Sequence, residues 1–248
     1  MSLGKLVKTA LPIVVVGLAA CGDPAAPSSR VVSLSFTSRA ALVPGPANRA
    51  PNFDITVTSG TNTIIFTKAQ LVVRKIKLEL AATTVCADDD KGADDCSELE
   101  LSPRLVDLPL TDLLTTGLSA SIPEGTYKKI EFRVHKPGSD SADVAFKAAN
   151  PNFANSSIRV EGTFNGVAFV FTSAINEKVE MEFNPPVVVT AATNNVTIQV
   201  DIRTWFKNTD GSLISPITAN PGQPNEGLVS NKIKASLKAF EDGNKDGK

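Results

Sequence analysis

Ile158-Arg159-Val160-Glu161-Gly162-Thr163-Phe164-Asn165-Gly166-Val167-Ala168-Phe169-Val170-Phe171 carries two extended runs around an Asn-Gly pair. Asn-Gly tolerates the positive φ angles of a two-residue hairpin turn. The stretch therefore reads as two antiparallel strands, Ile158 to Phe164 and Val167 to Phe171. Working outward, the same period of two recurs along the chain. Val32 to Phe36 and Phe53 to Val57 are short examples, and residues 62–82 contain a longer one. There Ile76, Leu78 and Leu80 alternate with Lys75, Lys77 and Glu79. Leu105 to Leu110, Lys178 to Phe183 and Val196 to Ile202 continue the pattern. In Lys128 to Lys136, Ile130, Phe132 and Val134 share one face, while Lys129, Glu131, Arg133 and His135 share the other. On this reading His135 is an exposed residue at a strand end.

Turn residues punctuate these runs at Pro123-Glu124-Gly125, Lys136-Pro137-Gly138 and Asn184-Pro185-Pro186. Many short strands separated in this way predict an all-β fold, an antiparallel β-sandwich of immunoglobulin-like or transthyretin-like kind. Two segments depart from it. Thr111 to Leu118 is expected to form one helical turn. Leu228 to Phe240 is expected to form a short C-terminal helix, with Val229, Ile233, Leu237 and Phe240 on one stripe. No internal repeat is evident.

The N-terminus gives an address. Lys5 and Lys8 precede the apolar run Leu11 to Leu18, and Leu18-Ala19-Ala20-Cys21 closes the segment with small residues before a cysteine. This is the three-part build of a secretory signal. The run is shorter than the roughly 20 apolar residues a spanning helix needs. The ending resembles the lipobox of bacterial lipoproteins, which implies that Cys21 is lipidated and becomes the first residue of the mature chain. Acyl chains contribute about 0.8 kcal/mol per buried CH₂, so several of them would anchor the protein lastingly. Gly22 follows the cysteine where an Asp would imply inner-membrane retention, so the resemblance favours an outer-membrane or cell-surface place in the envelope. The expected organisation is a signal peptide over 1–20, a flexible Ala-, Pro- and Ser-rich tether over 21–30, a β-sandwich over 31–241 and an Asp/Asn/Gly-rich tail over 242–248. Removing Lys5 and Lys8 from 25 basic residues leaves 23 against 26 acidic ones, a net charge of −3. That balance offers no basic field for nucleic acid.

Cys86 and Cys96 bracket an acidic loop holding Asp88, Asp89, Asp90, Asp94 and Asp95. In an exported chain the pair is expected to form a local disulfide contributing about 3 kcal/mol. Two cysteines and a lone His135 cannot fill a zinc site. The carboxylates read as a solvated charge run rather than a calcium loop. The tail is a closer match to calcium chemistry. Asp242, Asn244, Asp246 and Gly247 match positions 1, 3, 5 and 6 of an EF-hand loop, but the chain supplies no bidentate Glu at position 12. An Asx-rich frayed tail is the favoured reading, with a weak Ca²⁺ site as its alternative, and no other cofactor is expected.

Trp205 is the one tryptophan. If the strand through Ile198, Val200 and Ile202 continues, Trp205 shares the outward face of Asp201 and Arg203 and could stack on a sugar ring. If the Asn208-Thr209-Asp210-Gly211 turn ends the strand early, the indole packs inside, and packing is the favoured reading. No Gly-x-Ser-x-Gly elbow accompanies His135, and no phosphate-binding or dinucleotide loop is present. Twenty-six acids offer no way to choose a glycosidase pair. The expectation is a lipid-anchored envelope protein, not an enzyme, whose β-sandwich does binding or structural work for an unidentified glycan or envelope protein. A carbohydrate-binding module using Trp205 is the alternative, and an envelope glycoside hydrolase comes third.

Residues 68–134 add a resemblance. They combine Ile76-Lys77-Leu78, Val106-Asp107-Leu108 with Leu113-Leu114, and Ile122-Pro123-Glu124-Gly125-Thr126-Tyr127-Lys128-Lys129-Ile130. This order resembles the bacterial family called domain of unknown function 4382, in which a Pro-x-Gly-Thr-Tyr segment leads into a core strand. The resemblance covers about a third of the mature chain. It implies an exported, often lipid-anchored β-sandwich and transfers no catalytic residue.

Overall fold

The computed structural model describes residues 29–38, 54–81, 96–99, 102–110, 115–190 and 195–241. The signal segment, Cys21, Cys86 and its acidic loop, and the tail residues Asp242, Asn244 and Asp246 lie outside these. The strands are β1 (Ser29–Thr37), β2 (Ile55–Ser59), β3 (Asn62–Leu80), β4 (Cys96–Leu99), β5 (Arg104–Asp107), β6 (Thr115–Pro123), β7 (Gly125–Val134), β8 (Ile158–Phe164), β9 (Val167–Ser173), β10 (Glu177–Val189), β11 (Asn195–Val200) and β12 (Leu237–Glu241). Helix α1 (Ser141–Ala149) sits between β7 and β8, and α2 (Glu226–Ala235) precedes β12.

The strands form two sheets, as an all-β sandwich requires. One has the order β12-β11-β1-β6. The other has the path β10-β7-β3-β8-β9, with β2, β4 and β5 also pairing with β3. All pairings are antiparallel except β1 with β11, which is parallel. The spine is β3, 19 residues long. Along one flank it meets β8 over Ile64–Leu71 and β7 over Val73–Leu80, while β2, β5 and β4 line the other. Its register shifts between Phe66 and Lys68 and again between Arg74 and Ile76, where Lys75 takes a φ of 52°. Bulges of this kind bend and twist a long strand.

The Asn-Gly hairpin forms as its sequence requires. Asn165 and Gly166 have φ of 51° and 79°, the left-handed pair of a two-residue turn. Gly162, three residues earlier, is fixed by space. A Cβ there would lie 2.0 Å from the Ile65 carbonyl oxygen, beside the first bulge of β3. The Pro-x-Gly-Thr-Tyr segment also has a structural reason. Gly125 lets β7 start against Leu80, where a Cβ would meet the side chain at 2.8 Å, and Tyr127 is fully buried with its hydroxyl donating to the Pro123 carbonyl at 2.9 Å.

The main core lies between the sheets, with Val32, Leu34 and Phe36 of β1 facing Ile64, Phe66, Ile130 and Phe171. Fully burying a side chain of this size contributes about 1.5–3 kcal/mol. A smaller cluster of Val72, Phe146 and Phe153, with Leu105 against it, lies where α1 and the turn Pro151–Phe153 cover β3. That cover explains why Ala69 to Val73 are buried without alternation.

Several expectations need correction. The predicted C-terminal helix stops at Ala235, and Leu237–Glu241 is strand β12 against β11. Ser236 ends the helix with its N–H on the Ile233 and Lys234 carbonyls. Residues 115–118 belong to β6, not to a helical turn, because they complete the antiparallel pairing with β1. Strand β1 includes Ser29, which pairs with Pro123, so the last two residues assigned to the tether are strand. Helix α1 was not anticipated from the sequence.

Candidate functional site

The best-organised polar cluster gathers where β7 ends and α1 begins. The backbone of His135 continues the sheet, its N–H donating to the Val72 carbonyl at 2.9 Å. Its side chain turns under α1, placing Nε2 2.7 Å from Asp143 Oδ1. The exposed strand-end reading of His135 is therefore overturned: the residue is 7% exposed, since the chain folds back over it at Pro137 and Gly138. Asp143 Oδ2 accepts the Gly138 N–H at 2.6 Å. Arg74, from the bulged part of β3, donates through Nη1 to Asp140 Oδ2 at 2.6 Å and to Asp143 Oδ1 at 3.3 Å.

Asp140 is the N-cap of α1, its Oδ1 accepting the Asp143 N–H at 2.9 Å. The Arg74 guanidinium, helped by that amide, holds the Asp140 carboxyl below the usual carboxylate range. Two acids at a helix start also oppose the positive end of its dipole. Lys147 closes the loop by donating to the Gly138 carbonyl at 2.5 Å. These contacts fasten α1 to β3. His135 Nδ1 is buried with no hydrogen-bond partner among the described residues, so no hydroxyl completes a Ser-His-Asp arrangement there. The sequence did carry a signal for this cluster. Asp140-Ser141-Ala142-Asp143 after Pro137-Gly138 is a helix-start pattern, and it places Asp143 one helical turn from the cap.

Trp205 lies elsewhere and is fully buried. Strand β11 ends at Val200. Asp201 then starts a 3₁₀ turn over Ile202–Thr204, its side chain accepting the Arg203 N–H at 3.2 Å. That turn breaks the alternation, so Trp205 and Phe206 both point inward. The indole Nε1 donates to Ser236 Oγ at 2.8 Å, at the end of α2. Phe206 packs edge-on against Phe171 at 5.0 Å and near Phe66 at 5.9 Å. A sugar-stacking platform at Trp205 is thereby overturned, because the indole presents no face to solvent; it packs inside.

The outer face of β3, β7 and β10 carries a charged lattice. Glu79 meets Lys128 at 2.7 Å and Lys129 at 2.9 Å, Lys129 meets Glu131 at 3.1 Å, and Lys178 meets Glu180 at 2.7 Å. The Lys128 hydrogen bond, with Lys129 beside it, holds Glu79 below the usual range against the opposing effect of burial. Lys178 does the same for Glu180. Burial works against the charge of Lys129, yet its bonds to Glu79 and Glu131 raise its pKa. Beside β8 and β9, a shallow groove of about 400 Å³ is bordered by Thr67, Glu161, Thr163, Ala168 and Val170. It lacks the convergent polar groups of a small-molecule site.

Among the described residues, no group of three or more His, Cys, Asp and Glu side chains is placed to hold a metal ion, and no helix is long and apolar enough to cross a membrane. Cys96 opens β4, its backbone paired with Glu79. Neither a family model nor a curated protein matches the chain. A solved structure, MbnP from Methylosinus trichosporium, is similar at a TM-score of 0.40 and 11% identity, over 82% of this chain and 87% of that one.

Proposed function

We propose that this chain is an exported lipoprotein of the cell envelope whose β-sandwich does binding or structural work. The observation that carries the reading is Leu18-Ala19-Ala20-Cys21, standing eight residues ahead of the first residue of β1. A body that starts so soon after a lipidation motif is built to be held at a membrane surface. The burial of the most organised acid–base pair, His135 and Asp143, supports a non-catalytic role: its contacts fasten a helix to a sheet and leave no open face for a substrate. Kinship with the domain of unknown function 4382 family belongs to this proposal too, supported by Gly125 and Tyr127 at the start of β7.

The test is fractionation of the native protein and of Cys21→Ala. The parent protein is expected in membranes after a high-salt wash, and the variant in the soluble fraction. A variant that stays with membranes through the wash would overturn the anchor.

A further inference from the structure

We infer that the end of the sandwich carrying Ser29 and the β6–β7 turn is the end held nearest the lipid bilayer, and that the body cannot stand inverted on the Asn165-Gly166 hairpin and the β2–β3 turn. This rests on the lipid-anchor reading above and adds an orientation to it.

Register defines that end. Ser29 pairs with Pro123, and the chain turns through Glu124 into β7. Gly125 pairs with Val189 at the close of β10, and Tyr127 pairs with Leu80 at the close of β3. Asn195 pairs with Ser33, and Glu241, the last residue of β12, pairs with Val196. Ends of both sheets therefore lie together, joined by the β6–β7 turn. The opposite end holds Gly60 and Thr61, between β2 and β3, with Asn165 beside them. Asn165 Nδ2 donates to Asn62 Oδ1 at 2.8 Å, and Asn165 Oδ1 accepts the Thr63 N–H at 2.8 Å.

Length then restricts orientation. From Cys21 to Ser29 the chain makes eight Cα steps, which extend to at most about 28 Å. The 19 residues of β3, at about 3.3 Å each, have a contour of roughly 60 Å, somewhat shortened by its bulges, and run from one end of the body to the other. Were the hairpin end to rest on the lipid, Ser29 would stand most of the length of β3 above it, beyond the reach of the connecting chain. An inverted body is excluded by that mismatch. The partner of the Ser29 end is thus the headgroup surface in which the acyl chains are inserted.

The test uses the acylated full-length protein in phosphatidylcholine vesicles containing a lipid-borne energy acceptor. A donor dye is introduced by amber suppression at Ala81, an exposed residue at the end of β3, or at Thr61, an exposed residue in the far turn. The buried emission of Trp205 verifies that each labelled protein is folded. Transfer from position 81 is expected to exceed transfer from position 61 severalfold. Equal or reversed transfer in protein that floats with the vesicles would overturn the orientation while leaving the anchor standing. Protein that fails to float would overturn the anchor, and the orientation with it.

Discussion

Asp143 has 1% of its surface exposed, yet it accepts from the His135 ring, the Gly138 amide and the Arg74 guanidinium. A buried carboxylate is costly to desolvate, and these donors together offset that cost. Removing it leaves the buried His135 Nε2 without an acceptor, while Arg74 keeps Asp140. We expect Asp143→Ala to destabilise the protein by about 3 kcal/mol. The fall should appear as a lower urea midpoint with unchanged native circular dichroism. A midpoint within error of the parent would mean that the cluster of Val72, Phe146 and Phe153, with the Arg74–Asp140 pair, holds α1 without it. Trp205 makes the complementary point at this scale. Its burial needs both a ring-sized space and an acceptor for Nε1, and Ser236 supplies the second at 2.8 Å. Neither contact is visible in the sequence, because the partners are 8 and 31 residues apart and no local period links them.

Cross-strand charge couples the elements of the larger sheet. Glu79 on β3 reaches Lys128 and Lys129 on β7, and β7 reaches β10 through Glu131 and Lys178. Since the Lys128 contact holds Glu79 below its ordinary pKa of 4.5, the folded state binds a proton there less readily than the unfolded chain. Its contribution to stability is therefore complete above that ordinary value and is lost as the pH falls through the lowered one. Glu79→Gln is expected to be less stable than the parent at pH 6 and to lose less on acidification to pH 3, measured as urea midpoints at both. Parallel losses would show that this carboxylate carries no share of the acid sensitivity. Elements were also where the sequence was most legible. Alternation was clearest along β7 to β10, each of which has one face in the core. It found the C-terminal helix but carried it too far, over 237–240, where an apolar spacing fits a helix and a strand alike and the switch at Ser236 is made by contacts with Trp205 and β11. It missed α1, a nine-residue helix whose signal is its cap rather than a long stripe.

For the molecule as a whole, the decisive comparison is between a connecting chain of about 28 Å and a body spanned by β3, whose contour is roughly 60 Å. As long as the first is the shorter, the anchored body can tip from upright to side-on but cannot stand inverted on its far hairpins. The restriction belongs to length, not to any contact, so it should vanish when length is added. Inserting 20 Gly and Ser residues after Gly22 raises the full reach to about 98 Å and gives a mean span of roughly 29 Å for a flexible coil. An inverted body then comes within the full reach, though at about twice the mean span it carries an entropic cost. In the vesicle experiment we expect the difference between donors at Ala81 and Thr61 to shrink on insertion, with flotation unchanged. A difference that persists undiminished would assign the orientation to attraction between the Ser29 end and the headgroups; an orientation set by the tether must relax when the tether is lengthened.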